Sequence, residues 1–366
     1  MKLLILSDAN SIHTQKWVFS LAKQGINVHL FSLFKPEDLI SKLYYDLGVE
    51  IESPDLKHKI KNLRSPNLSK ILYFTALPRL NRLINKFSPT IIHAHYASSY
   101  GFLAYMIHFY PKILSVWGSD IYDFPNKNIF YKLIMKKIIH SADSVCSTSK
   151  AMKEIITVDF EKKDCHLIPF GVDTQKFIKK DKQLSFFTVG TIKSIEAHNG
   201  IYCFIDAASI LVHENKLSNI KFLIVGEGSM LKKMKKKCNK LGLSNNFKFT
   251  GKVSHKNIEK YFQKLSVFIA VSTRESFGVS ILEAASCGVP AITSDVGGLP
   301  EVNKNNYTGF VIPANNPQIL SKKILKLYFN NNLREKMGFN ARERVLNNFD
   351  WDENVKKMIH LYKSYR

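Results

Sequence analysis

Cysteine is scarce in this 366-residue chain: Cys146, Cys165, Cys203, Cys238 and Cys287 stand far apart, with no Cys-x-x-Cys spacing. An odd, scattered set excludes a disulfide framework and a structural zinc site. Long hydrophobic runs are missing as well. The longest are strand-sized, short of the roughly 20 residues that a membrane-spanning helix needs. The apolar start Met1 to Leu6 meets Asp8 and Asn10 too early for a secretory signal, so a cytoplasmic protein is expected. No Gly-x-Gly-x-x-Gly follows that first apolar run, which speaks against a dinucleotide-dependent oxidoreductase. Acidic residues are in deficit, 30 against 53 Lys and Arg, giving a net charge of +23.

The basic excess is spread through both halves of the chain, and its many Lys, Asn and Ile residues also read as a coding bias. No helix-turn-helix, zinc-finger or RNA-binding signature accompanies it, so no nucleic-acid partner is expected. Two clusters invite a narrower reading. Lys57, Lys59, Lys61, Arg64 and Lys70 share one segment, and Lys127, Lys132, Lys136 and Lys137 surround Ile129, Phe130, Leu133, Ile134 and Met135. Each fits either a solvated face or a peripheral contact with an anionic membrane. With 45% hydrophobic and 23% charged residues the chain has the composition of a globular protein, and its length predicts about two domains.

The first half alternates strands and helices. Lys2 to Leu6 reads as a buried strand, Ser11 to Lys23 as a helix ended by Gly25, and Asn27 to Phe31 as the next strand. That βαβ start predicts a doubly wound parallel sheet with ligands at the carboxyl ends of its strands. Asn10, Ser11 and His13 then lie where a ligand would be. A strand at Thr90 to Ile92 leads into His93-Ala94-His95, a polar cluster with no third metal ligand at a sensible spacing. Another at Ile113 to Trp117 leads to Asp120, which reads equally as a helix cap or as a binder of sugar hydroxyls. Further strands are predicted at Asp143 to Ser147, His166 to Pro169, Leu184 to Val189, Ile220 to Val225 and Phe247 to Thr250, with a helix from about Gly200 to Val212.

The most informative stretch runs from Ser266 to Glu301. Ser266 to Ser272 is an apolar, β-favouring strand. A loop with Glu275 follows, then a helix from about Gly278 that Gly288 and Pro290 stop, then a strand at Val289 to Thr293. The unpaired N–H groups of Ser276, Phe277 and Gly278 suit a phosphate, and Glu275 and Glu283 can face one hydroxyl-bearing ligand. The plainer reading makes Glu275 a cap and Glu283 a solvated helix residue.

Two acids with seven residues between them, around Ser276-Phe277-Gly278 and followed by Gly288-Val289-Pro290 and Gly297-Gly298-Leu299-Pro300-Glu301, closely resemble the signature of glycosyltransferase family 4. These are retaining nucleotide-sugar transferases of the α/β GT-B fold. The resemblance implies two Rossmann-like, doubly wound parallel-sheet domains facing across a cleft. An acceptor domain would cover 1–175, with the terminal helix at 351–366 packed back on it, and a donor domain 176–350. It further implies that Glu275 holds donor-sugar hydroxyls, that Glu283 holds the nucleotide ribose, and that the backbone at Phe277 and Gly278 lines the phosphate. His95 would contact the donor sugar near the reacting carbon, and Gly190 and Val253 would lie beside the nucleotide. Thr191 stands where many relatives place an Arg, and Lys193 resembles the substitute cation for the diphosphate. No Asp-x-Asp pair is read as holding a metal instead, so no cofactor and no metal are expected. The run from Asn10 to Trp17 resembles bacterial surface-polysaccharide members, without the glycine pair that other members carry there. That resemblance points to a lipid-linked or other glycan acceptor at the inner membrane face. A sugar-phosphate synthase or phosphorylase on the same fold, and a non-catalytic nucleotide-sugar-binding subunit, are the alternative readings.

Overall fold

Short apolar strands separated by amphipathic helices leave one favourable arrangement, a parallel sheet covered on both faces. The chain builds it twice. The computed structural model describes residues 1–56, 68–180 and 185–365. They form two units, Met1–Pro169 with Asp352–Arg366, and Phe170–Trp351. Lys57, Lys59, Lys61 and Arg64 of the first basic cluster, and the side chain of Lys70, lie outside the described residues.

The first unit contains β1 (Lys2–Leu6), β2 (Asn27–Phe31), β3 (Glu50–Glu52), β4 (Ile91–His95), β5 (Lys112–Val116), β6 (Ser144–Ser147) and β7 (Cys165–Leu167), in the order β3-β2-β1-β4-β5-β6-β7. All pairings are parallel; Ile5, for example, sits opposite Leu30 on one side and His93 on the other. Leu4, Leu6, Ile92, Leu114 and Val145 form its core with helix residues such as Leu80, Met135 and Ile138. β4 extends further than expected and takes in both histidines. His93 is fully buried there, with Nδ1 2.6 Å from the Tyr362 hydroxyl and Nε2 2.8 Å from Ser115 Oγ. Both ring nitrogens are thus engaged, Nδ1 with the terminal helix, Trp351–Lys363, and Nε2 with the neighbouring strand β5. Tyr362→Phe leaves one of them unpaired in the core and should cost about 1–3 kcal/mol, read as a lower urea midpoint with an unchanged m-value.

The second unit contains β8 (Phe187–Ile192), β9 (Ile220–Val225), β10 (Phe247–Phe249), β11 (Val267–Ala270), β12 (Ala291–Ser294) and β13 (Gly309–Ile312), in the order β10-β9-β8-β11-β12-β13. Again every pairing is parallel. Val189, Phe222, Ile269 and Ile292 pack with Phe204, Leu320 and Ile324 from the helices. β8 starts and ends three residues later than expected, the expected first residue Leu184 lying outside the described residues, and the shift moves Gly190 and Thr191 out of the loop and into the strand. Gly190 is needed for packing there. A Cβ would meet the Leu265 side chain at 2.6 Å and the Leu223 carbonyl oxygen at 2.7 Å.

Candidate functional site

Strand order reverses between β8 and β11 in the second unit, so the loops leaving their carboxyl ends diverge and open a crevice there. Lys193 is the first residue after β8, and the loop from Val271 to Gly278 follows β11. Lys193 Nζ donates to Ser272 Oγ at 2.7 Å and to Glu275 Oε2 at 3.1 Å. Only 10% of the lysine side chain and 26% of the glutamate's are exposed. A charge this withdrawn from water is tolerated because carboxylate and hydroxyl oxygens replace its hydration. Two glycines let the pair's backbone into place. Gly226, at φ +141°, lies against the Lys193 carbonyl, and Gly297, at φ +52°, against the Glu275 carbonyl. A Cβ at either position would collide with that oxygen.

The helix Val279–Ser286 starts behind the Glu275 loop, with Gly278 at φ +92° leading into it. Phe277 is buried, its ring 6.5 Å from that of Phe170 and 5.9 Å from that of Phe349. This anchors the loop while leaving its backbone at the sheet edge. Of the N–H groups expected to point outward, that of Ser276 already donates to Glu275 Oε1 at 3.2 Å. Glu283 is nearly buried, so the solvated-face reading does not hold for it. Among the described residues it shares no partner with Glu275; its Oε1 lies 3.2 Å from Nε2 of His255. Val253 is half-buried in the loop after β10, which the Gly226 N–H ties to the loop after β9 by donating to the Gly251 carbonyl at 3.0 Å. The one Asp-x-Asp spacing in the chain, Asp350 and Asp352, lies outside these loops; Asp350 Oδ2 accepts the Thr174 hydroxyl at 2.7 Å.

In the first unit the order reverses between β1 and β4. His95 ends β4, 1% exposed, with its ring 5.0 Å from that of Trp117 and 4.5 Å from that of His93. Burial, and secondarily the neighbouring His13, push its pKa down to about 3, so it is a neutral imidazole. Its Nδ1 is buried and makes no hydrogen bond among the described residues. Tyr96 then turns the chain sharply at φ +72°. The His13 ring packs edge-on to Trp117 at 5.7 Å. Asn10 braces two loops, its Oδ1 accepting the Glu37 N–H at 3.0 Å and its Nδ2 donating to the Lys35 carbonyl at 3.2 Å. Asp120 is fully buried, and its carboxylate accepts the N–H groups of Ala97 (2.8 Å), Gly118 (2.7 Å) and Trp117 (3.2 Å). Desolvation raises its pKa and these donors oppose the rise. With its oxygens so engaged, Asp120 joins the loop after β5 to the turn after β4 instead of facing outward as a hydroxyl binder.

Two residues of the second unit's polar arrangement carry no mark in the sequence. Ser272 was read only as a strand end, and nothing in the local pattern around His255 marked it as the partner of a glutamate 28 positions later.

Two Rossmann-like units, each with its polar cluster at the carboxyl ends of a parallel sheet, constitute the GT-B architecture. HepE from Anabaena, solved in complex with UDP, superimposes over 100% of both chains with a TM-score of 0.83 at 16% identity. Two family models match, "Glycosyl transferases group 1" over residues 172–344 and "Glycosyl transferase 4-like" over residues 2–149. Together they account for most of the chain, which belongs to this glycosyltransferase family and is a sugar-transferring enzyme. An uncharacterised glycosyltransferase of Methanocaldococcus jannaschii is 24% identical over 351 residues, 93% of this chain and 94% of that one. The capsular polysaccharide biosynthesis glycosyltransferase CapM of Staphylococcus aureus is 27% identical over 265 residues, 66% of this chain and 68% of that one.

Proposed function

We propose that the protein transfers a sugar from a nucleotide-diphosphate sugar, with retention at the anomeric carbon, to a lipid-linked surface glycan. The observation that carries this reading is the Lys193–Glu275 pair, which puts a cation and a hydroxyl-accepting carboxylate 3.1 Å apart at the strand-order reversal. In the proposed complex Lys193 turns to the diphosphate, Glu275 accepts from donor-sugar hydroxyls and Glu283 from the ribose. The departing diphosphate gains charge in the transition state, where a preorganised ammonium and helix N-terminus favour it. Lys193 takes the place of a divalent ion in this scheme, so transfer proceeds without metal. The relation to a capsule-forming enzyme supports a polysaccharide acceptor, built at the inner face of the membrane.

Thermal unfolding with UDP, GDP, ADP and CMP, each with and without EDTA, tests the donor side. UDP comes first because the Anabaena neighbour was solved with it. A nucleotide at a hundredfold its dissociation constant should add about 2.7 kcal/mol of stability, unchanged by EDTA and absent in Glu283→Ala. Stabilisation by none of the four would count against the nucleotide-sugar donor.

A further inference from the structure

The helix Ile129–Ser141 has an outer face that solvation alone does not explain. Asn128 starts it by accepting the Tyr131 N–H at 3.1 Å, and Met135, Ile138 and Ile139 form its buried stripe. At about 100° per residue, Ile129, Phe130 and Leu133 fall on the opposite side. They are 71%, 64% and 54% exposed. Single exposed apolar residues are ordinary, but three large ones on one helical face mark an interaction surface. Lys132 and Lys136 border this patch, and Lys137 continues the face one turn on. Lys136 Nζ pairs with Glu161 at 2.8 Å, an exposed ion pair of the kind that exchanges partners readily.

We propose that this face docks on an anionic lipid bilayer. Ile129, Phe130 and Leu133 enter the boundary between headgroups and acyl chains, while Lys132, Lys136 and Lys137 meet lipid phosphates. Charge selects this occupant. Apposing the same lysines of a second copy would be repulsive, whereas a negative surface complements both the helix and the net charge of +23. The helix lies in the membrane plane, since no helix among the described residues is long and apolar enough to cross. The inference gives the lipid-linked acceptor of the proposed function its docking surface and rests on that reading for its purpose, but binding is measured without any transfer.

The full-length protein would be sedimented with sucrose-loaded vesicles of phosphatidylcholine alone or mixed equally with phosphatidylglycerol, at low and high salt. Binding is expected only to the anionic vesicles and is expected to weaken with salt. The combined Ile129→Ser, Phe130→Ser, Leu133→Ser variant should bind about tenfold more weakly or worse. Because these side chains are exposed, its melting temperature and its stabilisation by nucleotide should match the wild type. No binding to anionic vesicles would overturn the proposal. So would undiminished binding of the serine variant, which would assign attraction to other lysines, such as those of the helix Leu231–Lys240. Self-association of the wild type without vesicle binding, abolished in the variant, would instead assign the face to a second copy. Vesicle binding by a protein that no nucleotide stabilises would leave this surface standing and the donor assignment refuted.

Discussion

Lys193→Ala is expected to lower kcat for sugar transfer by about 10²–10³-fold, the effect of removing one preorganised group that stabilises developing negative charge. Ser272 and Glu275 hold the lysine at the crevice, and under the proposed function it turns from them to the diphosphate. Its removal has a second consequence: the Glu275 carboxylate, about three-quarters buried, loses its cation. Kinetics at saturating and limiting donor separate the two. Loss of leaving-group stabilisation lowers kcat, whereas displacement of Glu275 also raises KM. A kcat within twofold of wild type, in a protein whose melting temperature shows it folded, would assign leaving-group stabilisation to another group.

Gly297→Ala should be comparably damaging through the backbone. Gly297 sits at φ +52°, and a Cβ there runs into the Glu275 carbonyl oxygen. The strain of a left-handed alanine costs about 1–2 kcal/mol, and relieving the collision must displace the Glu275 loop, for a total of about 2–4 kcal/mol. Gly25→Ala provides the comparison, since φ there is +75° but nothing lies within 4 Å of the added Cβ. It should show the conformational cost alone. Chemical denaturation of both variants, with nucleotide-induced stabilisation of Gly297→Ala, tests the difference. Equal losses at the two glycines, with the nucleotide effect intact, would show that Gly297 does not shape the site.

Much of this was legible in the residues. Apolar runs of strand length, each followed by a helical pattern, specify parallel α/β units, because only that arrangement buries the strands on both faces. The Glu275 loop was recognisable from its place after a strand, and Lys193 from its resemblance to the substitute cation of the family. The limits lay in boundaries and partners. Gly190 looked like a loop residue because glycine interrupts an apolar run, yet it belongs to β8, where the approach of Leu265 and Leu223 forbids a side chain. Asp120 was left open between capping and hydroxyl binding, and the N–H groups of three residues, one of them 23 positions away, decided its surroundings. His93 read as part of a polar cluster at a strand end, and no local pattern pointed to Tyr362, 269 positions later, as the partner of its Nδ1.

The sequence by itself determined which segments become strands and helices, and therefore that polar residues gather at strand ends, because hydrophobic periodicity and turn residues act over a few positions. Only the tertiary structure decided that Lys193 pairs with Glu275, 82 positions apart, and Glu283 with His255. Strand order sets which loops meet, and buried charges accept whichever partners that meeting supplies.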